Sequence, residues 1–266
     1  MEELKPMLPI GKNLTDTNKI FLDWETVLAS PKLDGVHVLA YTNRIVTRNG
    51  FDITDKFPSL MSWLSKQQLD FILDCELVAV NNNKILRRTE IHRKILSGET
   101  KGLGKPCLMV FDALRIGDDI TSFPFNERFP FVINSISTSG KLQLVPQKIV
   151  KNEEEVQTLY KKVLASGFEG LMLRNAYSQY EAGQRSFNLR KLKPIDLIDL
   201  KIIGKEFVNG MKMYSLIDEK GAVVKIKDPR EFRIGEFVEI GFEGKFASGQ
   251  LKFPSIIRRR LDKCFD

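Results

Sequence analysis

The sequence predicts a mixed α+β domain over residues 1–194 followed by a small all-β domain over residues 195–266. Short β-prone runs alternate with helical patterns up to Pro194, and beyond it only short strands follow one another. No segment repeats or is of low complexity, so each part must be held by a core of its own. At 266 residues, 42% of them hydrophobic and 28% charged, the chain is long enough to supply both cores.

In the first domain, strands are expected at 36–41, 44–47, 71–80, 107–114 and 171–174, bounded by turn signals such as Asn49-Gly50 and Asn81-Asn82-Asn83. Apolar residues at helical spacing predict helices over 56–68 and 126–136. A third should begin at Asn152, where Asn-Glu-Glu-Glu forms an N-cap with an acidic first turn ahead of the stripe Val156, Leu159, Tyr160, Val163, Leu164. In the second domain the strand signals lie at 200–203, 214–218, 222–226 and 237–242. About five strands in so short a segment suit a small barrel such as an OB fold.

The net charge of +7 favours a polyanionic partner, because clustered lysine and arginine release counterions from phosphates. Cys75, Cys107 and Cys264 are odd in number, far apart and without a C-x-x-C pair, which points to reduced thiols and no zinc. The first residues lack the unbroken apolar core of a signal peptide, and no run reaches the roughly 18 apolar residues of a membrane span. A soluble, cytoplasmic protein is expected.

Several short segments could carry chemistry. In Ser30-Pro31-Lys32-Leu33-Asp34-Gly35 a lysine precedes a turn and could act as a nucleophile if its amine is neutral, or could be a solvated loop lysine. Glu76, in Asp74-Cys75-Glu76-Leu77, and Glu169, in Glu169-Gly170-Leu171-Met172-Leu173-Arg174, place carboxylates beside apolar strands. Such carboxylates either pair with a cation such as Mg²⁺ or sit at exposed strand ends. Arg190-Lys191-Leu192-Lys193 alternates, so Lys191 and Lys193 should share one face of a strand and present two positive charges to a phosphate. Phe111 suits either a core position or a stacking platform for a base.

In order and spacing, these segments resemble the covalent nucleotidyltransferase superfamily of ATP-dependent DNA ligases, RNA ligases and mRNA capping enzymes. Lys32-Leu33-Asp34-Gly35 is similar to the nucleophile motif K-x-D-G, Thr47-Arg48-Asn49-Gly50 to the S/T-R-x-G segment downstream of it, and Asp74-Cys75-Glu76-Leu77 to D-G-E-L. Val110-Phe111-Asp112 looks like the segment whose ring stacks on the purine. Glu169 to Arg174 matches E-G-x-M-x-R/K, and Lys191-Leu192-Lys193 the paired-lysine motif. Phe253-Pro254 through Arg260-Leu261-Asp262-Lys263 matches the OB-domain ending F-P-x-x-x-R-x-R-x-D-K. Two positions depart: His37 stands where the family usually has arginine, so the contact that arginine makes is either weaker or passes to Arg48. Cys75 replaces a glycine and reads as a small buried residue.

The resemblance implies a nucleotidyltransferase (adenylation) domain followed by an OB-fold domain, forming a minimal ATP-dependent DNA ligase. Lys32, Asp34, Glu76, Glu169, Lys191 and Lys193 would be catalytic, with Glu76 and Glu169 holding Mg²⁺. ATP would contact Ser30, Pro31, Lys32, His37, Arg48, Glu76, Phe111, Arg174, Lys191 and Lys193, and also Arg260, Asp262 and Lys263 of the terminal motif. The partner would be nicked duplex DNA, the enzyme a monomer. An RNA ligase or a capping-type guanylyltransferase is the alternative. Capping enzymes normally read D-G-L-I at the fourth motif, and RNA ligases typically lack the OB ending. A noncatalytic OB nucleic-acid-binding protein should lack the nucleophile or the carboxylates, all of which stand here.

Overall fold

The computed structural model describes residues 4–11, 14, 17–67, 69–81, 84–85, 91 and 104–263; Cys264, the last expected free thiol, lies outside them. The chain divides into two compact units, Met1–Leu192 and Lys193–Asp266.

In the first unit, β1 (Leu8–Pro9) and the short helix α1 (Asn18–Asp23) lead into β2 (Val27–Lys32), β3 (Val36–Tyr41) and β4 (Ile45–Thr47). A 3-10 turn at Thr54–Lys56 and helix α2 (Pro58–Leu64) precede β5 (Phe71–Asn81), β6 (Lys84–Ile85), β7 (Lys105–Ile116) and β8 (Asp118–Asp119). Next come α3 (Phe125–Ser135), β9 (Leu142–Leu144), β10 (Lys148–Val150), α4 (Glu153–Ala165), β11 (Gly170–Asn175), β12 (Arg185–Ser186) and β13 (Leu189–Leu192). Strands β4-β3-β5-β7-β8 form one sheet, with β6 on β5 and β9 parallel to β7, and β10-β2-β11-β13 form a second, antiparallel sheet.

Side-chain alternation sorts the residues of these strands into two layers. Along β5, Phe71, Leu73, Cys75, Leu77 and Ala79 enter a core shared with Leu60 and Leu64 of α2 and Phe125, Phe129 and Val132 of α3. The intervening residues Ile72, Asp74, Glu76 and Val78 lie on the opposite face. The second sheet behaves alike: Val27, Ala29, Leu171 and Leu173 pack with Ile20, Val156 and Val163 from α1 and α4. Leu39, Ile72 and Leu114 of the first sheet join Leu189 and Met172 of the second in a small cluster between the sheets. The polar residues interleaved with that cluster build the site.

Helix α4 begins where expected, with Asn152 Oδ1 accepting the Glu155 N–H at 2.9 Å. The helix expected over 56–68 is shorter and split. Pro58 keeps Phe57 out of helical conformation (φ −130°, ψ 58°) and then starts α2 at its own first position. The strand ending at Leu192 also corrects an expectation: Lys191 and Lys193 do not share a strand face. Proline at 194 cannot donate a ladder hydrogen bond and restricts its predecessor, so the strand stops before Lys193.

The second unit is one antiparallel sheet in the order β16-β15-β14-β17-β18, from β14 (Asp196–Val208), β15 (Met211–Ile217), β16 (Val223–Lys227), β17 (Phe237–Phe242) and β18 (Ser255–Arg259). Leu200, Ile202, Tyr214, Leu216, Ile226, Phe232, Val238, Ile240 and Ile256 form its core. Strand β14 is much longer than the 200–203 run suggested; it bends through a register shift between Ile202 and Gly204.

Candidate active site

Lys32 is the last residue of β2, and antiparallel pairing sets it opposite Gly170, the first residue of β11. The Glu169 N–H donates to the Lys32 carbonyl at 3.0 Å, and its carboxylate accepts from the Lys32 ammonium at 2.6 Å. Both side chains keep about a quarter of their surface, at 21% and 26%, so the pair stays reachable from solvent. The first and fourth motif segments, far apart in sequence, thus meet at one strand end.

Gly35 explains the glycine of the first motif. Its N–H donates to Glu76 Oε1 at 3.0 Å, and a Cβ there would lie 2.4 Å from the Leu77 carbonyl and 2.8 Å from Glu76 Cγ. Only a residue without a side chain lets the turn after Lys32 sit this close to β5. Glu76 itself is half-buried in mid-strand, opposite His37 on β3 and Met109 on β7.

A cavity of about 460 Å³ opens here, walled by Ser30, Pro31, Lys32, His37, Arg48, Glu76, Phe111, Met172 and Arg174, with Met7, Phe51 and Leu189 among its apolar lining. A lining that combines an aromatic ring and apolar side chains with basic side chains and a carboxylate suits a ligand that joins a flat base to charged groups.

Two buried polar networks hold this wall. His37 Nε2 lies 2.6 Å from Asp74 Oδ1, Tyr180 donates its hydroxyl to Asp74 Oδ2 at 2.6 Å, and that hydroxyl accepts the Met7 N–H at 3.0 Å. The His37 ring meets Phe111 edge-on at 5.4 Å. Burial opposes protonation of His37, but the charge and hydrogen bond of Asp74 outweigh it, so its pKa lies above the ordinary 6.5. In the second network Asp112 accepts from Arg128 Nε at 2.7 Å and Arg128 Nη2 at 3.0 Å, and also from Arg174 Nη1. Burial alone would raise the Asp112 pKa, yet the two guanidinium groups hold it below the usual carboxylate range. Cys75 is fully buried, and that burial pushes its thiol well above the ordinary value, so it is unreactive.

Residues 6–193 match the family model of the ATP dependent DNA ligase domain. The chain belongs to this family. A DNA ligase of Thermococcus onnurineus is 32% identical over 79% of the chain and 37% of that protein, and one of Methanosphaerula palustris is 31% identical over 88% of the chain and 51% of that protein. The chain therefore spans about a third to a half of the length of these relatives. Among solved structures, a Lig E DNA ligase matches with a TM-score of 0.60 at 21% identity, covering 96% of this chain and 99% of that one. The ligase domain of M. tuberculosis LigD matches with a TM-score of 0.60 at 15%, covering 98% and 96%. At these identities the likeness is one of fold.

Within the ligase domain, the cavity wall gathers Ser30, Pro31, Lys32, His37, Arg48, Glu76, Phe111 and Arg174. Asp34 sits half-buried in the turn after Lys32 and is not among the wall residues. Lys191 pairs across to Met172 from β13 and lies outside the wall as well. Lys193 belongs to the second unit, where its ammonium meets Glu243 at 3.1 Å. Arg260 there contacts Asp199 and Asp262, both at 2.8 Å, and Lys263 contacts Asp199 at 2.6 Å. The hydrogen bond from Arg260 holds Asp262 well below the usual carboxylate range. Asp74, Tyr180, Asp112 and Arg128 escaped sequence reasoning as site-building residues. Arg128 left one signal: it interrupts the apolar stripe Phe125, Phe129, Val132 of α3.

Among the described residues no helix is long and apolar enough to cross a membrane.

Proposed function

We propose that this chain is an ATP-dependent DNA ligase, acting as a monomer, that seals 5′-phosphate/3′-hydroxyl nicks in duplex DNA through a lysyl-AMP and a DNA-adenylate. The observation that carries the reading is Lys32, ion-paired to Glu169, at the wall of a cavity that also presents Phe111, Arg48, Glu76 and Arg174; Glu169 itself is not among the wall residues. The cavity would receive ATP, with Phe111 against the adenine; stacking of this kind contributes about 1 to 3 kcal/mol. Lys32 Nζ would attack the α-phosphorus, forming a P–N bond as the bond to pyrophosphate breaks. Attack requires the neutral amine, and Glu169, already accepting from the ammonium, is placed to take the proton. The 5′-phosphate of the nick then takes AMP from Lys32, and the 3′-hydroxyl displaces AMP from that phosphate to close the strand.

Each transfer builds negative charge on phosphate oxygens, so positioning and electrostatics supply the catalysis. Glu76 and Glu169 provide the hard oxygen donors that suit Mg²⁺. When bound, Mg²⁺ would neutralise charge on the phosphates. Lys191, Lys193, Arg260, Asp262 and Lys263 are assigned to phosphate handling on the strength of their motifs.

We assign the second unit to an OB-type barrel. Its support is Arg230, just past β16, which donates to the Ile256 and Ile257 carbonyls of β18 and so ties together the two edges of the sheet.

The test is sealing of a duplex carrying a labelled 5′-phosphate at a single nick, with ATP and Mg²⁺. Closure by the wild type and not by Lys32→Ala is expected. Closure of RNA nicks alone would move the assignment to RNA ligase, and transfer from GTP alone to a capping-type enzyme.

A further inference from the structure

Arg128 is fully buried on the apolar face of α3, among positions that Phe125, Phe129 and Val132 fill with apolar side chains. Its fork takes both oxygens of Asp112, and Nη1 also donates to the Phe123 carbonyl. Asp112 is at the same time the carboxylate that holds Arg174, whose guanidinium lies 4.2 Å over the Phe125 ring; Arg174 is one of the residues that line the cavity. One carboxylate is therefore divided between two guanidinium groups. The other buried carboxylate nearby, Asp74, has its own partner in His37. Tyr180, whose ring lies 5.6 Å from the Arg128 guanidinium, gives its hydroxyl to Asp74 and leaves Asp112 to the arginines.

A guanidinium with a carboxylate to itself is neutralised, and a pocket wall built from such a pair has little pull on an anion. Sharing Asp112 removes that neutralisation while geometry stays fixed, because Asp112 and the Phe125 ring still set the plane of Arg174. We propose that Arg128 is a positioning residue that keeps Arg174 electrostatically under-compensated, so that the cavity wall accepts the anionic part of a nucleotide. Arg128 touches no ligand in this role; it acts through Asp112 on Arg174. The inference rests on the cavity being the ATP site proposed above.

The experiment measures MgATP binding by calorimetry, alongside thermal denaturation, for the wild type, Arg128→Met and Arg128→Lys. Methionine removes the second charge, leaves Asp112 to Arg174 alone and keeps the volume apolar. It should weaken binding about tenfold, the size of effect expected of one nearby charge in a partly buried site. Its melting temperature should fall, since Asp112 and the Phe123 carbonyl lose donors while staying buried, so affinities are compared well below the transition of either protein. Lysine keeps the charge without the fork and should stay within about threefold of wild-type affinity. Equal affinity in wild type and Arg128→Met overturns the proposal, as does equal loss in Arg128→Met and Arg128→Lys, which would mark a packing role. Should Arg128→Met not fold, Arg128→Lys against Arg128→Gln gives the same comparison of charge with shape. If the wild type itself does not bind MgATP, the assignment of the cavity fails instead.

Discussion

Gly35 shows how a single position ties the nucleophile to its surroundings. A methyl group there meets backbone oxygen at 2.4 Å, which cannot be relieved by turning a side chain. Gly35→Ala should cost about 1 to 3 kcal/mol of stability, measured by urea denaturation, and should depress lysine adenylylation through displacement of Glu76. His37 makes a pH-dependent contribution. Because its pKa in the folded state lies above 6.5, its pairing with Asp74 stabilises fully below pH 6.5 and is lost as pH rises through the folded-state value. The gap in melting temperature between wild type and His37→Gln should therefore be widest in mildly acid buffer and narrow at alkaline pH. A gap that widens with pH contradicts the pairing. At this scale the sequence displays the motif residues, because Lys32, Glu76, Phe111 and Arg174 sit at fixed short spacings from recognisable neighbours. Their supports are not displayed: Asp74 finds Tyr180 across 106 positions, and Arg128 on its helix looks like an error in an amphipathic pattern until Asp112 is seen beneath it.

Secondary elements are legible where local chemistry decides them. The Asn152 cap and the acid-rich first turn define α4, and Asn152→Ala should cost about 1 kcal/mol, read as a shift in denaturant midpoint with unchanged slope. Loss of less than a few tenths would mean that packing on β11 alone sets the helix start. Where tertiary pairing decides, the sequence misleads. Strand β7 runs from Lys105 to Ile116, beyond its apolar heart at 107–114, because β5 offers a partner along its length. The alternating Lys191-Leu192-Lys193 pattern suggested one continuous strand, but Pro194 ends the ladder and Lys193 joins Glu243. Strand β18 stayed hidden because its outward face is arginine, Arg258 pairing with Glu239 of the neighbouring strand at 2.9 Å.

Across the whole molecule, the net charge of +7 sets how the chain should meet DNA. Phosphate contacts dominate such binding, so nick affinity should fall steeply between low and moderate salt, as measured by fluorescence anisotropy; a flat response contradicts it. The terminal motif offers a second test. If Arg260 and Asp262 serve pyrophosphate departure, the double change to alanine should slow the reaction with ATP far more than the sealing of a pre-adenylylated nick. Equal losses in both assays would assign them to DNA binding or folding. The central claim is that Lys32, held by Glu169 at the cavity wall, takes AMP from ATP. Incubation with α-labelled ATP and Mg²⁺ and isolation of the denatured protein should show an acid-labile label confined to the peptide containing Lys32 and absent from Lys32→Ala. Label on any other peptide, or none on a folded, ATP-binding wild type, would contradict it.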